Sequence, residues 1–451
     1  MGEAVSEIAQ EVEMSRQYVY EQKAKVAQYV ASLDTAEPEV PLLKLDKKTI
    51  NRMILSLAFD CQAPYDGIVR FFDAVIVEKR VSAGHISELL AEASKRAEEY
   101  DREIDLSSIR QGANDEIFQC GVPILTGIDP ESTYTYLLEE AGDRTADTWE
   151  LYLDELKAQE LNLETSINDG GAGIMAGVRQ AFPEAQIQAD TFHAMHALGK
   201  EVSRLENKAH RQIRQEAALA ANLSGKKPRA KNKERLAQTR PEVEAAINLY
   251  DTIFILFTWL KETLSFSGYS MAEAMMLSQW ILHEMNELSK NNPGLRSEIA
   301  KVSKMLPSLL SFIGRLEREM EVVAKETGLP IEGFHLMYRQ KTHAPGSAQN
   351  SEIQCKQALL LVEKYPEARN KFDQILRGTK KASSLVENLN GRIRVFIEVK
   401  RVIPPRFFVL LKVYFNTRRY HRSRHKERVG KNPLELLTGC PQPNFFEAIG
   451  Y

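Results

Sequence analysis

Three carboxylates stand where a folded sheet could bring them together. Asp115 lies in the alternating stretch DEIFQ, Asp169 ends the stretch LETSIND, and Glu387 lies in the helical stretch KKASSLVENLNGRIR. Hard divalent cations such as Mg²⁺ prefer carboxylate oxygens, and two such ions can activate an attacking oxygen and stabilise a leaving one. Three carboxylates under-neutralise two Mg²⁺ ions, so a phosphate would complete the coordination. The pattern therefore indicates metal-dependent chemistry at a phosphate.

Each carboxylate also has a simpler interpretation. A lone Asp at a strand end is commonly a turn or cap residue, and Asp129 in TGIDPES is a rival for the first position. On its helix, Glu387 could be a solvated residue paired with Arg394. Asp115 is preferred because it opens the first strand, whereas Asp129 lies at a predicted hairpin turn. Glu116 points to the other face of that strand and is an unsuitable ligand.

The residues from 111 to 199 predict a mixed α/β sheet. Alternation predicts a three-strand meander over DEIFQ, VPILTGID and TYTYLLEE, followed by a helix over 145–160. A strand over 163–169, a helix beginning at GAGIMAGV and a strand over 185–193 complete the pattern.

Helices are predicted on the N-terminal side of this sheet. Residues 1–33 predict a helix-turn-helix with Ser15 as the cap of its second helix. This arrangement places three side chains near the start of a DNA-recognition helix: Arg16, Gln17 and Tyr18. A Pro-bearing linker at 34–41 and a second helical domain at 45–110, which could be another helix-turn-helix, follow.

A helical insertion is predicted over 200–375. Steps of three and four form an apolar seam that Pro307 must kink or split: Ile299, Val302, Leu306, Leu309, Ile313, Leu316, Met320 and Val323. The simplest meaning is packing within the insertion, and a dimer contact is the alternative. Trp259 and Trp280 could stack on an unpaired base, although core packing is the preferred interpretation.

The last part of the chain, 376–451, begins with the helix that carries Glu387. Its apolar stripe contains Leu385, Leu389, Ile393 and Phe396. Helical geometry places Glu387, Asn390, Gly391, Arg394, Glu398 and Arg401 on the opposite face.

Composition fits a soluble globular protein of about three domains, since 43% of the 451 residues are hydrophobic and 27% are charged. The longest apolar run, at 249–260, is shorter than the ~20 residues that span a bilayer. The N-terminus lacks the pattern of a secretory signal, which favours a cytoplasmic, nucleoid-associated protein without membrane contact. Four dispersed cysteines indicate neither a zinc site nor a disulfide framework.

Charge is unevenly distributed, although the net charge is only −3. From Arg392 to Lys431 there are 13 Lys or Arg residues against two Glu residues, a local balance of +11 that leaves −14 elsewhere. Phe407, Phe408, Tyr414, Phe415 and Tyr420 are interleaved with these cations, which favours a phosphate-facing surface.

Several motifs resemble those of the DDE transposases of bacterial insertion sequences. NDEIF and INDGGAGI are similar to the first two motifs, and QADTFHAMHAL resembles the Asp-x-Phe-His stretch often found after the next strand. ASSLVENLNGRIR, FNTRRYHRS and ERVGKNPLELLTG resemble the third motif and the C-terminal signature. The resemblance covers most of 112–199 and 376–451, and Gly391 stands where relatives often have Ser.

The resemblance implies an RNase H-like catalytic domain, split into 111–199 and 376–451 by the helical insertion. Asp115, Asp169 and Glu387 would bind two Mg²⁺ ions, with Mn²⁺ as a substitute, and His193 would be a neighbour of the active site. His193 and His196 are three residues apart, which permits metal binding, but no further Cys or His lies nearby and structural roles are preferred.

The expected activity is cleavage of double-stranded DNA at terminal inverted repeats and transfer of the freed 3′-OH to target DNA, by at least a dimer. The expected DNA contacts beyond the N-terminal helices are Lys380, Lys381, Asn388, Asn390, Arg392, Arg394, Lys400, Arg401, Arg418, Arg419, Arg422 and Arg424. Two alternatives remain: an inactive transposase descendant that regulates DNA or joins a complex, and an RNase H-like nuclease or resolvase.

Overall fold

The computed structural model describes residues 8–10, 12, 14–35, 45–76, 80–223, 230–361, 364–380, 384–400 and 402–451. Contacts group residues 1–54 into one compact unit and residues 55–451 into another.

The first unit contains α1 (Arg16–Thr35), which follows a short helical stretch at 8–10. The hydroxyl of Ser15 accepts a hydrogen bond from the N–H of Tyr18 at 3.2 Å, which is the predicted helix cap. The helix continues to Thr35, so Asp34 and Thr35 are helical and not part of the predicted linker. Residues 36–41 of that linker lie outside the described residues.

Three helices precede the sheet, as predicted for 46–100. They are α2 (Lys47–Phe59), α3 (Tyr65–Val75) and α4 (Ala83–Arg102). The side chain of Ser82 caps α4 by accepting the N–H of His85 at 3.1 Å.

The sheet has five strands in the order β3-β2-β1-β4-β5. The antiparallel meander is confirmed as β1 (Gln111–Gln119), β2 (Val122–Ile128) and β3 (Thr135–Glu140). Cys120 and Gly121 both have positive φ and form the tight turn between β1 and β2. On the other side, β4 (Thr165–Asn168) pairs parallel to β1, and β5 (Gln186–Ala189) pairs parallel to β4.

The predicted strand over 185–193 is too long. The strand ends at Ala189, and α7 (Thr191–Leu223) begins two residues later. The cause is Asp190, whose Oδ1 accepts the N–H of Phe192 at 2.8 Å and so starts the helix. His193 therefore lies in the first turn of a helix.

Two helices cover one face of the sheet, α5 (Ala146–Lys157) and α6 (Ala172–Ala181). Their apolar residues share a core with β2 and β3 that includes Trp149, Val178 and Leu137. Gly177 permits the close contact of the two helices, since a Cβ at this position would lie 2.4 Å from Cβ of Trp149.

The residues between the sheet and the Glu387 helix are helical, as predicted. Their bounds are α7 as above, α8 (Ala230–Thr263), α9 (Met271–Leu288), α10 (Pro293–Leu309), α11 (Ser311–Thr327), α12 (Ile331–Arg339), α13 (Ala348–Leu361) and α14 (Tyr365–Gly378). Pro307 lies in the last turn of α10, and the seam is split between α10 and α11. Seven of the eight seam residues are fully buried in the chain's own helical core, with Val323 packed against it, which confirms the intramolecular interpretation.

The preferred interpretation of the two tryptophans is wrong. Trp259 on α8 and Trp280 on α9 are each 46% exposed, and their rings stack on one another with centroids 6.3 Å apart. The core of these helices is supplied by other residues, such as Leu256 and Leu260 on α8 and Ile281 on α9.

One segment of the described residues, Lys233–Thr263 within α8, is long and apolar enough to cross a membrane by length and composition alone. Core helices of soluble proteins meet the same criterion. Ile253, Leu256 and Leu260 from this segment are buried in the helical core.

The chain ends with α15 (Ser384–Lys400), α16 (Pro405–Thr417), α17 (Pro433–Thr438) and α18 (Phe445–Ala448). The predicted interleaved aromatic surface is wrong for four of its five members, because Phe407, Phe408, Tyr414 and Phe415 are buried. They belong to α16, which packs against α4 and β3. The fifth, Tyr420, has its hydroxyl 2.6 Å from Oγ1 of Thr133.

Candidate functional site

The pairing register of β1, β4 and β5 places three carboxylates in one row: Asp115, Asp169 and Asp190. Ala113 of β1 is opposite Ile167 of β4, so continuation of this parallel register by two residues brings Asp115 level with Asp169. Asn168 of β4 is opposite Ala189 of β5, so Asp169 is in turn level with Asp190. The row lies at the carboxyl ends of β4 and β5, where functional groups of such sheets collect.

Buried donors hold the Asp115 carboxylate. Its Oδ1 accepts the backbone N–H of Glu116 at 2.8 Å, and its Oδ2 accepts Nδ2–H of Asn390 at 2.7 Å. The hydroxyl of Thr126 donates to the Asp115 carbonyl at 2.9 Å. These contacts fix Asp115 on the sheet face that α15 covers.

The position of Asn390 corrects the predicted helix face. Asn390 is completely buried beside Val386, Leu389 and Ile393, and not on the polar face with Glu387. The reason is that α15 packs on β1 and β2 with a stripe broader than the predicted one. Asn390 therefore contacts Asp115 and does not face DNA.

Glu387 lies in the first turn of α15 and contacts a histidine. Its Oε1 lies 2.8 Å from Nε2 of His193, and Nδ1 of the same ring lies 2.8 Å from Oδ2 of Asp190. The imidazole thus bridges a completely buried carboxylate and a partly exposed one. The sequence-based prediction assigned no role to Asp190, although this residue begins the Asp-x-Phe-His stretch of the resemblance.

Asp115, His193 and Glu387 form a close set whose potential ligand atoms lie within 4.8 Å of one another. Asp169 falls outside this set. It is exposed, and its Oδ1 accepts the N–H of Gly171 at 2.8 Å. Its negative charge nevertheless reaches Asp115 and contributes to the raised pKa of that residue.

The negative charges of the carboxylates repel one another, and a bound cation would reduce this repulsion. The pKa of Asp115 is raised to about 6, mainly by burial; the charges of Asp169 and Glu387 also raise it, whereas the hydrogen bond from the N–H of Glu116 and the charge of His193 lower it. The hydrogen bond to Asp190 raises the pKa of His193 to about 9, so the ring is an imidazolium at neutral pH. In this state the protonated ring supplies the positive charge among the carboxylates.

The donor set fits hard divalent cations. Asp115 and Glu387 offer carboxylate oxygens within one close set, and Asp169 lies near enough to influence Asp115 electrostatically. The buried Oδ1 of Asn390 has no hydrogen-bond partner among the described residues. An oxygen-rich, under-neutralised cluster of this kind suits Mg²⁺ better than a metal that prefers Cys or several His ligands.

The two alternative carboxylates, Asp129 and Glu116, have interaction partners outside the candidate site. Asp129 binds its own hairpin turn, where its oxygens accept the N–H groups of Glu131 and Ser132. Glu116 forms an ion pair with Arg144, two residues before α5, on the sheet face opposite Asp115. Both observations agree with the predicted preference for Asp115.

The predicted DNA contacts fall into three groups. Some have internal partners: Lys380 binds the Arg377 carbonyl, Arg392 stacks on Phe415, Lys400 binds the Ala63 carbonyl, Arg418 lies over Tyr414, and Arg419 pairs with Glu435. The second group overlaps the first at Arg418 and Arg419 and contains the exposed residues Arg16, Gln17, Tyr18, Asn388, Arg394, Arg418, Arg419, Arg422 and Arg424. Lys381 and Arg401 lie outside the described residues.

A cationic cavity of about 250 Å³ lies beside α15. Its lining carries no carboxylate and consists of Asn388, Arg392, Phe415, Arg418, Arg419, Tyr420, His421 and Arg422. Burial lowers the pKa of Arg392, whose guanidinium lies 4.0 Å from the Phe415 ring.

Comparison with known proteins finds a family model that matches part of the chain. Residues 124–307 match the family model of ISL3-type DDE transposases, which is described as a transposase. The matched range includes Asp169, Asp190 and His193, and it ends before Glu387 and begins after Asp115. No curated protein matches the chain. The match to this part of the chain supports a DDE-type insertion-sequence transposase.

Proposed function

We propose that the protein is a transposase that binds the terminal inverted repeats of its own insertion sequence, hydrolyses a phosphodiester bond at each end, and joins the freed 3′-OH to target DNA. The observation that carries the proposal is the convergence of Asp115 and Glu387 in one close set, with Asp169 in register beside Asp115. The strand order β3-β2-β1-β4-β5 supports an RNase H-like catalytic domain.

Asp115, Asp169 and Glu387 would hold two Mg²⁺ ions, for which Mn²⁺ can substitute. Bound there, such ions supply Lewis acidity toward water and the scissile phosphate. Asn390 and the N–H of Glu116 hold Asp115 in one orientation, so its carboxylate needs little reorganisation to serve as a ligand.

In this proposal His193 donates a hydrogen bond to the DNA and places a positive charge beside the reacting phosphate. Asp190 fixes the ring through Nδ1, which leaves Nε2 directed at Glu387. When Glu387 serves as a ligand, Nε2–H becomes available to donate to a phosphate oxygen of the DNA. The imidazolium thereby keeps a positive charge at the reacting phosphate.

Exposed cations provide the DNA surface. Arg394, Arg422 and Arg424 are exposed, and the cationic cavity beside α15 can take a backbone phosphate. In the first unit, the exposed Arg16, Gln17 and Tyr18 start α1 as a recognition helix would require. Concerted cutting of two ends requires at least a dimer on DNA.

An assay of end cleavage and strand joining in Mg²⁺ tests the proposal, using DNA that carries the element's ends. Asp169→Ala and Glu387→Ala are expected to lose both reactions while still binding the ends. The matched control is Glu116→Gln, which removes a neighbouring carboxylate on the opposite sheet face. Absence of cutting by the wild type would instead favour an inactive, regulatory descendant, and undiminished cutting by both Ala variants would refute the metal ligands.

A further inference from the structure

A groove between α7 and α8 begins next to the candidate metal site. It has a volume of about 800 Å³, and its lining includes Phe192, His196, Lys200 and Arg204 from α7 with Phe257 and Lys261 from α8. We call it the α7–α8 groove. Phe192 immediately precedes His193, so one end of the groove adjoins the helix turn that carries the histidine of the site.

Helical spacing gives the groove its direction. Phe192, His196, Lys200 and Arg204 recur at steps of four and therefore form one stripe along α7. With a rise of 1.5 Å per residue, this stripe is about 18 Å long. Gly199 allows Phe257 to form the floor, since a Cβ there would lie 3.2 Å from Cζ of that ring.

Aromatic surface is available at the end nearest the site. Phe192 is 48% exposed although it adjoins buried residues, and it stacks on His196 with centroids 5.7 Å apart and planes 8° apart. Neither ring is part of the apolar core. A flat, open pair of this kind presents a face on which another planar group can stack.

Positive charge follows the same stripe. Lys200, Arg204 and Lys261 line the groove, and no carboxylate is among its lining residues. Glu201 forms an ion pair with Arg204 from outside the lining, which leaves the two lysines as the main cations toward an occupant. Aromatic faces combined with cations along one groove suit an unpaired nucleic-acid strand, because bases stack and phosphates pair with the cations.

We propose that the α7–α8 groove binds unpaired nucleotides of the DNA strand that is cut, with a base on Phe192 and His196 and phosphates near Lys200 and Lys261. This inference rests on the proposed function, because it assigns the strand in the groove to the DNA that enters the metal site. The groove itself carries no base-reading pattern, so stacking there should tolerate any base.

Binding of tailed DNA by the full chain tests the inference. Duplexes of the element's end, blunt or with a short 3′ or 5′ single-stranded tail containing 2-aminopurine, are titrated in EDTA so that no cutting occurs. We expect one tail polarity to strengthen binding by about 5- to 150-fold per stacked base and to quench 2-aminopurine fluorescence.

Substitutions in the groove test whether the single-stranded tail binds there. Phe192→Ala should abolish the tail's contribution, Phe192→Trp should retain it, and Lys200→Gln combined with Lys261→Gln should reduce it most at low salt. The matched control is Phe254→Ala, since Phe254 is 47% exposed on α8 and lies outside the groove lining. All variants should show the wild-type circular dichroism spectrum.

Two outcomes would overturn the inference: equal binding of blunt and tailed DNA by the wild type, or a tail contribution that survives in Phe192→Ala. Both are measured without divalent metal. They can therefore occur while the carboxylate variants still lose cutting, which separates failure of the groove assignment from failure of the proposed function.

Discussion

At the residue scale, the site depends on groups that hold the carboxylates as well as on the carboxylates. Asp115, Asp169 and Glu387 could be proposed from sequence because each ends or lies within a recognisable element. Asp190 was noted only as part of the Asp-x-Phe-His stretch and received no role, because the predicted strand continued through it to His193. The burial of Asn390 could not be predicted, since it depends on how α15 is rotated against β1, which the periodicity of one helix does not specify.

Asp190 should control the protonation of His193. In Asp190→Asn, the pKa of His193 is expected to fall from about 9 toward 6.5, because the hydrogen bond to Asp190 is the main cause of the shift. A histidine-selective NMR titration of the metal-free chain measures this pKa, with His196→Gln as an assignment control. A pKa that stays near 9 would show that Asp190 is not the cause.

The raised pKa of His193 makes the stability of the metal-free protein depend on pH. The folded-state pKa of His193 exceeds its unfolded value of 6.5, so protonation stabilises the metal-free fold fully below pH 6.5. This contribution is lost as the pH rises through about 9. His193→Gln should therefore show a smaller decrease in Tm than the wild type between these pH values.

Asn390 should act through the metal site. Asn390→Ala removes the donor to Oδ2 of Asp115, and a contact of this type typically contributes 10- to 100-fold to metal affinity or activity. Calorimetric titration with Mn²⁺ measures the affinity, and the exposed Asn388→Ala is the control. Unchanged Mn²⁺ affinity in Asn390→Ala would refute the supporting role.

At the element scale, local patterns predicted which helices and strands exist better than which faces they bury. The meander followed from alternation and from the turn at Gly121, and the split seam followed from Pro307. The exposure of Trp259 and Trp280 did not follow, because large aromatic residues are usually buried and only the packing of α8 on α9 determines which side of each helix remains open. Long-range packing is the information that a single helix lacks.

Gly177 tests the packing of α6, the helix that follows Asp169. In Gly177→Ala the new Cβ would meet Cβ of Trp149 at 2.4 Å and the Ala146 carbonyl oxygen at 2.7 Å, so we expect a loss of about 1–3 kcal/mol in unfolding free energy. Chemical denaturation measures it. The control is Gly314→Ala on α11, where only the Arg318 side chain is near and a gain of about 0.5–1 kcal/mol is expected. Equal effects would contradict the close contact.

At the scale of the whole molecule, the basic C-terminal segment is both core and surface. The excess of cations between Arg392 and Lys431 indicated a DNA surface, but α16 within it is mostly buried. Its Lys412 pairs with Asp101 at 2.7 Å, and Asn416 exchanges two 2.8 Å hydrogen bonds with the backbone of Thr135. Net charge along a sequence does not distinguish these residues from exposed ones such as Arg422.

Substitutions should separate the contribution of the buried residues of α16 to stability from the contribution of the exposed arginines to DNA binding. Phe408→Ala is expected to lower the unfolding free energy by about 3–5 kcal/mol, because Phe408 is completely buried. Arg422→Gln combined with Arg424→Gln should leave stability unchanged, weaken DNA binding and make its salt dependence shallower. Denaturation and binding at several salt concentrations measure both. A double variant with wild-type affinity and salt dependence would exclude these arginines from the DNA surface.

The proposed cleavage and strand transfer depend on divalent cations held by Asp115, Asp169 and Glu387. The most direct measurement is the number of Mn²⁺ ions bound per chain in the complex with end DNA, determined by electron paramagnetic resonance. We predict two ions for the wild type and for Glu116→Gln, and fewer for Asp115→Asn, Asp169→Asn and Glu387→Gln. Two tightly bound ions in all three of these variants would contradict the assignment.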